Sequence, residues 1–240
     1  MKKQNAFLVY RFIIMIIGIS LATGCNKPES KNLFKESEPV SDCDGNSYKT
    51  VKIGNQIWMA ENLRTTKYSN GDPIQEVSVD TNWAKLTAGA YCWYNNDLAN
   101  KAIFGALYNW FSVQDSRHIA PTGWHVPTDA EWTILESYLG GRSEAGGKMK
   151  SSTMWKSSST GGDNSSGFTA FPGGYRNGVY GTYEQMNIQT YWWSATESDL
   201  IVMEVKFAWF RVVGYDYTTL SRTTINERSG FSLRCIKDNN

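Results

Sequence analysis

Residues Pro127-Thr128-Asp129-Ala130-Glu131-Trp132 carry the chemistry of a helix start. Thr128 and Glu131 stand three apart, the spacing at which each side chain can satisfy the other's free backbone N–H, a capping box. From there Trp132, Leu135, Tyr138 and Leu139 recur at helical spacing, and Gly140-Gly141 ends the run. The pattern predicts a helix of about 11 residues with one buried face.

Outward from this helix, Phe104, Leu107, Tyr108 and Phe111 fall at i, i+3, i+4 and i+7, which predicts a second helix over residues 103–113. Much of the rest reads as strands. Residues 48–53 alternate, Gly54-Asn55 turns, and 56–59 resume, a hairpin signal. Residues 90–94, 168–171, 191–194, 202–213 and 231–236 are further strand segments. In the long one, Val205, Phe207, Trp209 and Arg211 share a mostly apolar face, and Lys206, Ala208, Phe210 and Val212 a mixed one. Such a strand is expected to be covered on both sides for part of its length. Beyond Gly146 the chain is rich in Gly, Ser and Asn, which predicts long loops. Two helices with strands before and after them define an α+β domain. Its first strands (48–59) and its last (231–236) are expected to meet and close it.

The N-terminus has the layout of an export signal: Lys2 and Lys3, an apolar run over 12–22, then Thr23-Gly24. The run is shorter than the ~20 residues that cross a bilayer. Leu21-Ala22-Thr23-Gly24-Cys25 resembles a bacterial lipobox, departing from it in having Ala22 three before the Cys, where Leu is usual. The expected product is a leader over 1–24, cleaved to leave a lipid on Cys25, in an envelope protein of the outer membrane; a plain secretory signal is the alternative. A diacylglyceryl group plus an N-linked acyl chain would anchor it stably. Residues 25–42, polar and bracketed by Pro28 and Pro39, read as a flexible tether, leaving 43–240 as one folded domain.

Without the leader's Lys2, Lys3 and Arg11, 21 of the 24 Lys and Arg face 23 Asp and Glu, so no basic surface for nucleic acid is expected. With 10 Trp and 13 Tyr, the aromatic fraction of 14% serves either a bulky core or exposed stacking faces. Cys43, Cys92 and Cys235 remain once Cys25 is assigned to lipid. Export permits a disulfide, and Cys92–Cys235 is the preferred pair because each lies in a strand-like segment, whereas Cys43 sits beside the tether. The spacings match no zinc pattern.

Six segments occur in order: 44–54 (Asp44-Gly45-Asn46-Ser47-Tyr48 onward), Gln56-Ile57-Trp58-Met59-Ala60-Glu61-Asn62-Leu63, 123–132 (Gly123-Trp124-His125-Val126-Pro127 onward), Pro172-Gly173-Gly174-Tyr175-Arg176, Tyr191-Trp192-Trp193-Ser194-Ala195-Thr196-Glu197, and Gly230-Phe231-Ser232-Leu233-Arg234-Cys235. Together they resemble the Fibrobacter succinogenes major paralogous domain, over about 43–238. That family is common in exported lipoproteins. The 127–132 helix start and the 230–234 strand are also distantly similar to the formylglycine-generating-enzyme branch of the C-type-lectin-like fold. This resemblance implies two helices, a twisted antiparallel sheet and long irregular loops.

Formylglycine-generating enzymes use two nearby cysteines late in the chain. Here Cys235 stands alone in that half, so this activity is not expected. The two histidines lack a nucleophile motif: His118 lies in a loop segment, and His125, beside the capped helix, reads as structural. No glycosidase carboxylate pair can be chosen by spacing. Asp163-Asn164 and Asn95-Asn96-Asp97 offer oxygen ligands for calcium, although turns favour the same residues and no EF-hand spacing is present. No cofactor is therefore expected.

The expectation is a non-catalytic binding module whose loops recognise a glycan or another envelope protein. Candidate contacts lie within residues 151–191: Trp155, Tyr175, Arg176, Tyr180 and Tyr183. An envelope enzyme acting on polysaccharide and a purely structural envelope protein are the alternatives.

Overall fold

Thr128 Oγ1 accepts the Glu131 N–H at 3.3 Å, and the Glu131 carboxylate accepts the Thr128 N–H at 2.8 Å, so both halves of the capping box are made. The computed structural model describes residues 34–156 and 159–239. The leader over 1–24 and the lipidation residue Cys25 lie outside the described residues. Along the chain the strands are β1 (Phe34–Ser41), β2 (Ser47–Ile53), β3 (Gln56–Met59), β4 (Gln75–Glu76), β5 (Ala90–Cys92), β6 (Leu107–Tyr108), β7 (Trp124–His125), β8 (Gly173–Arg176), β9 (Tyr183–Met186), β10 (Gln189–Val202), β11 (Val205–Gly214), β12 (Ser221–Asn226) and β13 (Ile236–Lys237). The α-helices are α1 (Asp80–Trp83), α2 (Lys101–Phe104), α3 (Trp110–Gln114), α4 (Asp129–Tyr138) and α5 (Arg142–Met149). The fold is α+β with mostly antiparallel pairing, in three sheets ordered β1-β2-β3-β13-β7, β12-β11-β10-β8-β9 and β4-β5-β6. The first and last parts of the domain meet: Trp58 pairs with Ile236, and Cys235 and Leu233 accept the N–H groups of Met59 and Leu63.

The helix expected over 103–113 is two short helices with β6 between them. Gly105 takes φ +73°, and a Cβ there would lie 2.7 Å from the Leu63 carbonyl oxygen, so the chain breaks where it must approach that backbone. Asn109 then caps α3 by accepting the Ser112 N–H. Conversely, α5 falls where Gly146 and Gly147 suggested loop. Their missing side chains let the helix lie against Thr218 and Thr219, where a Cβ on Gly146 would meet the Thr218 carbonyl oxygen at 2.6 Å. Residues 168–171 make a single bridge, Lys150 with Ala170, rather than a strand.

The core is aromatic. Trp58, Trp132, Phe168 and Trp192 form one cluster with ring centroids 4.8–5.9 Å apart, and Trp193, Phe210, Phe231 and Tyr191 a second. Each fully buried indole removes on the order of 200 Å² from water, worth roughly 5 kcal/mol before the entropy of ordering is subtracted.

Among the described residues, four cations are also fully buried: Lys150, Arg176, Arg211 and Arg234. Irregular segments leave carbonyls that no ladder satisfies, and three of these cations reach them in groups. Lys150 Nζ donates to the carbonyls of Thr160, Gly214, Tyr215 and Tyr217. Arg234 donates to Met59, Phe168 and Thr169, and Arg176 to Val77, Ser78 and Gly181. Arg211 instead pairs with Asp129 at 2.7 Å, which Arg222 also holds, so the first residue of α4 is pinned to β11 and β12.

Two expectations are corrected. Cys92 and Cys235 form no disulfide: both are buried free thiols, Cys92 packed among Trp83, Ala90, Tyr94 and Leu107, Cys235 in the separate cluster of Tyr48, Met59 and Phe231. Burial pushes the Cys92 thiol up to about 11 and the Cys235 thiol well above its ordinary range, so neither presents a thiolate. Within the expected tether, residues 34–41 are strand β1, paired antiparallel with β2. Phe34 covers Gly167, where a Cβ would meet its ring at 2.7 Å, and β1 shields the backbone edge that β2 would otherwise expose.

Candidate binding site

β8 ends at Arg176, and the turn that follows is held from both sides. Asn177 Oδ1 accepts the N–H groups of Val179 and Tyr180 at 2.8 and 3.1 Å, and the Asn177 N–H reaches the Thr182 carbonyl. Gly181 at φ +75° lies on the Asp80 backbone, where a Cβ would come within 2.3 Å of the Asp80 carbonyl oxygen. Below the turn, the Arg176 guanidinium donates to Gly181 O (2.8 Å), Val77 O (2.5 Å), Ser78 O (2.9 Å) and Asp80 Oδ1 (2.9 Å). It is sandwiched between the rings of Trp83 and Tyr183 at 4.5 and 4.7 Å. The Tyr183 hydroxyl donates to Asn96 Oδ1 at 2.7 Å, and Asn96 Nδ2 donates to Ser78 O. Three chain segments, 77–83, 94–96 and 176–183, are thus fixed as one platform.

The platform presents apolar side chains outward: Tyr180 is 71% exposed, and Val79 and Val179 are exposed as well. Beside it opens a cavity of about 370 Å³, lined among others by Glu76, Val79, Asn82 and Lys85. A groove of about 400 Å³ lies elsewhere, between β1–β2 and residues 164–169. Its Asn164 and Thr169 side chains are hydrogen-bonded to each other, and the buried Arg234 holds the carbonyls of Phe168 and Thr169 at its wall. What distinguishes the platform is an exposed aromatic ring, Tyr180, on a turn that a buried cation holds.

The five candidate contacts divide. Tyr180 is a surface residue, and Tyr183 is half-buried in the platform wall. Arg176 is a correction: fully buried, it cannot touch a ligand and instead organises the loops that do. Tyr175 faces inward against Tyr191 and Phe231, its hydroxyl on Glu184. Trp155 is half-buried against the Trp58–Trp132 cluster, its Nε1–H on Ser151. Residues 77–83 were not singled out from sequence, and Asn96 only as an oxygen ligand for calcium. They meet Arg176 and Tyr183 across nearly a hundred residues, and no local pattern marks such a contact.

The oxygen-rich turns have structural partners. Asp163 accepts the Ser165 N–H, Asn164 is bonded to Thr169, and Asp97 caps a 3₁₀ turn through the Ala99 N–H. Among the described residues, no three His, Cys, Asp or Glu side chains gather to hold a metal ion.

His125 has both ring nitrogens occupied, Nε2 with Glu131 at 2.9 Å and Nδ1 with Asp238 at 2.6 Å. These bonds tie β7 to the start of α4 and the end of the chain. The hydrogen bond to Glu131, joined by that to Asp238, raises the imidazolium pKa to about 9. An imidazolium bound at both nitrogens is a latch rather than a general base. Because the folded pKa lies above the unfolded value, its stabilisation is complete below about pH 6.5 and is lost as pH rises through 9. His125 is 37% exposed, so solvent screening leaves about 1 kcal/mol. Denaturant unfolding between pH 6.5 and 9.5 should show this fall in the natural chain, and a flatter profile in His125→Gln.

Fold and site together define an α+β domain with a clamped loop platform on its surface. The chain belongs to the Fibrobacter succinogenes major domain family, whose model matches residues 51–237. No match is found among curated proteins or among solved structures.

Proposed function

We propose that this is an envelope protein, lipid-anchored through Cys25, most simply in the outer membrane, whose C-type-lectin-like domain is a non-catalytic module that binds a glycan. The observation carrying this reading is Tyr180, largely exposed on a turn that Arg176 holds rigid from beneath. A rigid exposed phenol ring offers a stacking face to a sugar at little entropic cost. The neighbouring cavity, with Glu76, Asn82 and Lys85 at its walls, supplies polar groups for hydroxyls. Binding on this reading needs no calcium, because the candidate oxygen ligands are engaged in turns.

The test is a glycan array probed with the full chain in detergent, with and without calcium. Saturable binding to one glycan class is expected, unchanged by chelation. Tyr180→Ala should weaken it at least tenfold, roughly the effect of a hot-spot aromatic, with an unchanged melting temperature. No binding in either condition would reject the glycan and transfer the platform to an envelope-protein partner; loss on chelation would restore calcium.

A further inference from the structure

The hairpin of β10 and β11 ends in a tip whose sequence is unlike that of its turn. Val202 pairs with Val205, leaving Met203 and Glu204 as the two turn residues at φ +49° and +65°. Asn and Gly are the residues suited to both positions. Here Met203 is 94% exposed, and Leu200, Ile201 and Val202 beside it are exposed too. Four consecutive apolar side chains stand in water on a backbone that local preference does not favour, a pattern associated with contact surfaces.

Beneath the tip is a cavity of about 140 Å³ lined by Phe111, Glu204, Val205, Lys206, Glu227 and Arg228. Glu227 is only 4% exposed, and its Oε1 has no hydrogen-bond partner. The two neighbouring bases do not serve it: Lys206 Nζ is bonded to Glu197 at 2.6 Å, and Arg228 Nε donates to the Leu86 carbonyl at 3.1 Å. A buried carboxylate oxygen without a donor is costly and calls for one. Phe111 adds a ring face, and Glu204 a second carboxylate at the rim.

We propose that the hairpin tip and this cavity form one docking site for a segment of a partner protein that inserts a Lys or Arg side chain toward Glu227 and lays adjacent apolar residues on Leu200–Met203. Charge complementarity selects this occupant over a membrane surface. Asp199 and Glu204 flank the tip, and the two bases beside it, Lys206 and Arg228, are already engaged with Glu197 and the Leu86 carbonyl, so an anionic bilayer would be repelled. The site is separate from the Tyr180 platform and stands without the glycan reading.

The test uses the full chain in zwitterionic lipid nanodiscs with methyl-labelled methionine, the Met203 signal being assigned through Met203→Leu. The probes are acetylated, amidated pentapeptides Ala-Leu-X-Leu-Ala with X as Lys, Arg, norleucine or Glu. Lys and Arg peptides should shift the Met203 signal saturably and bind at least tenfold tighter than norleucine, the Glu peptide weakest. Glu227→Gln should bring Lys and norleucine within about twofold of each other, whereas Met203→Ser should weaken both and keep their ratio. If Glu227→Gln lowers the melting temperature, the exposed variant Glu204→Gln carries the test, with a smaller loss of Lys preference. Equal binding of Lys and norleucine to the natural chain, or a preference unaltered by these Glu variants, would overturn the proposal. So would a calcium-induced Met203 shift abolished by Glu227→Gln, which would make the cavity a metal site.

Discussion

Replacing Arg234 by Met should destabilise the domain by about 4 kcal/mol, measured as a lower denaturant midpoint at unchanged slope. Arg234 is fully buried, and among the described residues no carboxylate pairs with it. Its Nε–H donates to Asn62 Oδ1 at 2.7 Å, and its remaining donors reach the carbonyls of Met59, Phe168 and Thr169. Burial pushes its pKa down to about 9, so it is charged at neutral pH. Two effects oppose each other in the variant. Removing the cation returns its desolvation cost, but three backbone carbonyls lose this donor, at about 1–3 kcal/mol for each left unsatisfied, while Asn62 Oδ1 keeps its bond from Trp192 Nε1. Those backbone oxygens cannot be removed with the side chain, so the loss dominates. Arg234→Lys should recover only part, because one ammonium cannot reproduce a planar fork that reaches two chain segments, 59–62 and 168–169, at once. A variant as stable as the natural chain would mean that water enters and replaces those bonds.

The same residue shows what sequence could and could not reveal. Phe231-Ser232-Leu233-Arg234-Cys235 alternates as a strand with one wet face, yet all five residues are buried. Alternation reports polarity, and a polar side chain that satisfies loop carbonyls lies inside as readily as an apolar one. The α4 start, by contrast, was legible because its chemistry is local: Thr128, Glu131 and the backbone N–H groups they satisfy lie within one turn. The same locality made β2 and β3 readable, since two Gly-Asn residues join them directly. Where one residue contacts backbone far away in the chain, local reading failed. Gly105 broke an apparently continuous helix for Leu63, and Gly146 allowed a helix to approach Thr218. The platform failed to appear for the same reason, its components being separated by nearly a hundred residues. Tyr180, Tyr183 and Arg176 were marked by residue type, the last as a contact and not as the buried organiser it is.

Arg176→Met should abolish ligand binding at the platform while leaving Tyr180 in place in the sequence, and should cost about 3 kcal/mol of stability. The cation satisfies Val77, Ser78 and Gly181 carbonyls, neutralises Asp80 and fills the space between Trp83 and Tyr183. Methionine can fill part of that space but donates nothing. The strands around β8 retain their own hydrogen bonds, including the reciprocal pair between Arg176 and Gly230, so the loss is expected to be local before it is global. Amide exchange should therefore accelerate over 77–83 and 177–183 and remain slow in α4. A second readout comes from Cys92, buried beside Trp83 and unreactive there. Loosened loops should admit a thiol reagent, adding a slow second modification to that of exposed Cys43. Tyr180→Ala separates contact from architecture: it should lose binding with exchange and Cys92 protection unchanged. If Arg176→Met loosens the loops yet binds ligand as the natural chain does, the ligand sits elsewhere and the platform is only a structural cap on β8; if it binds normally and the loops stay closed, the buried guanidinium is not what holds them.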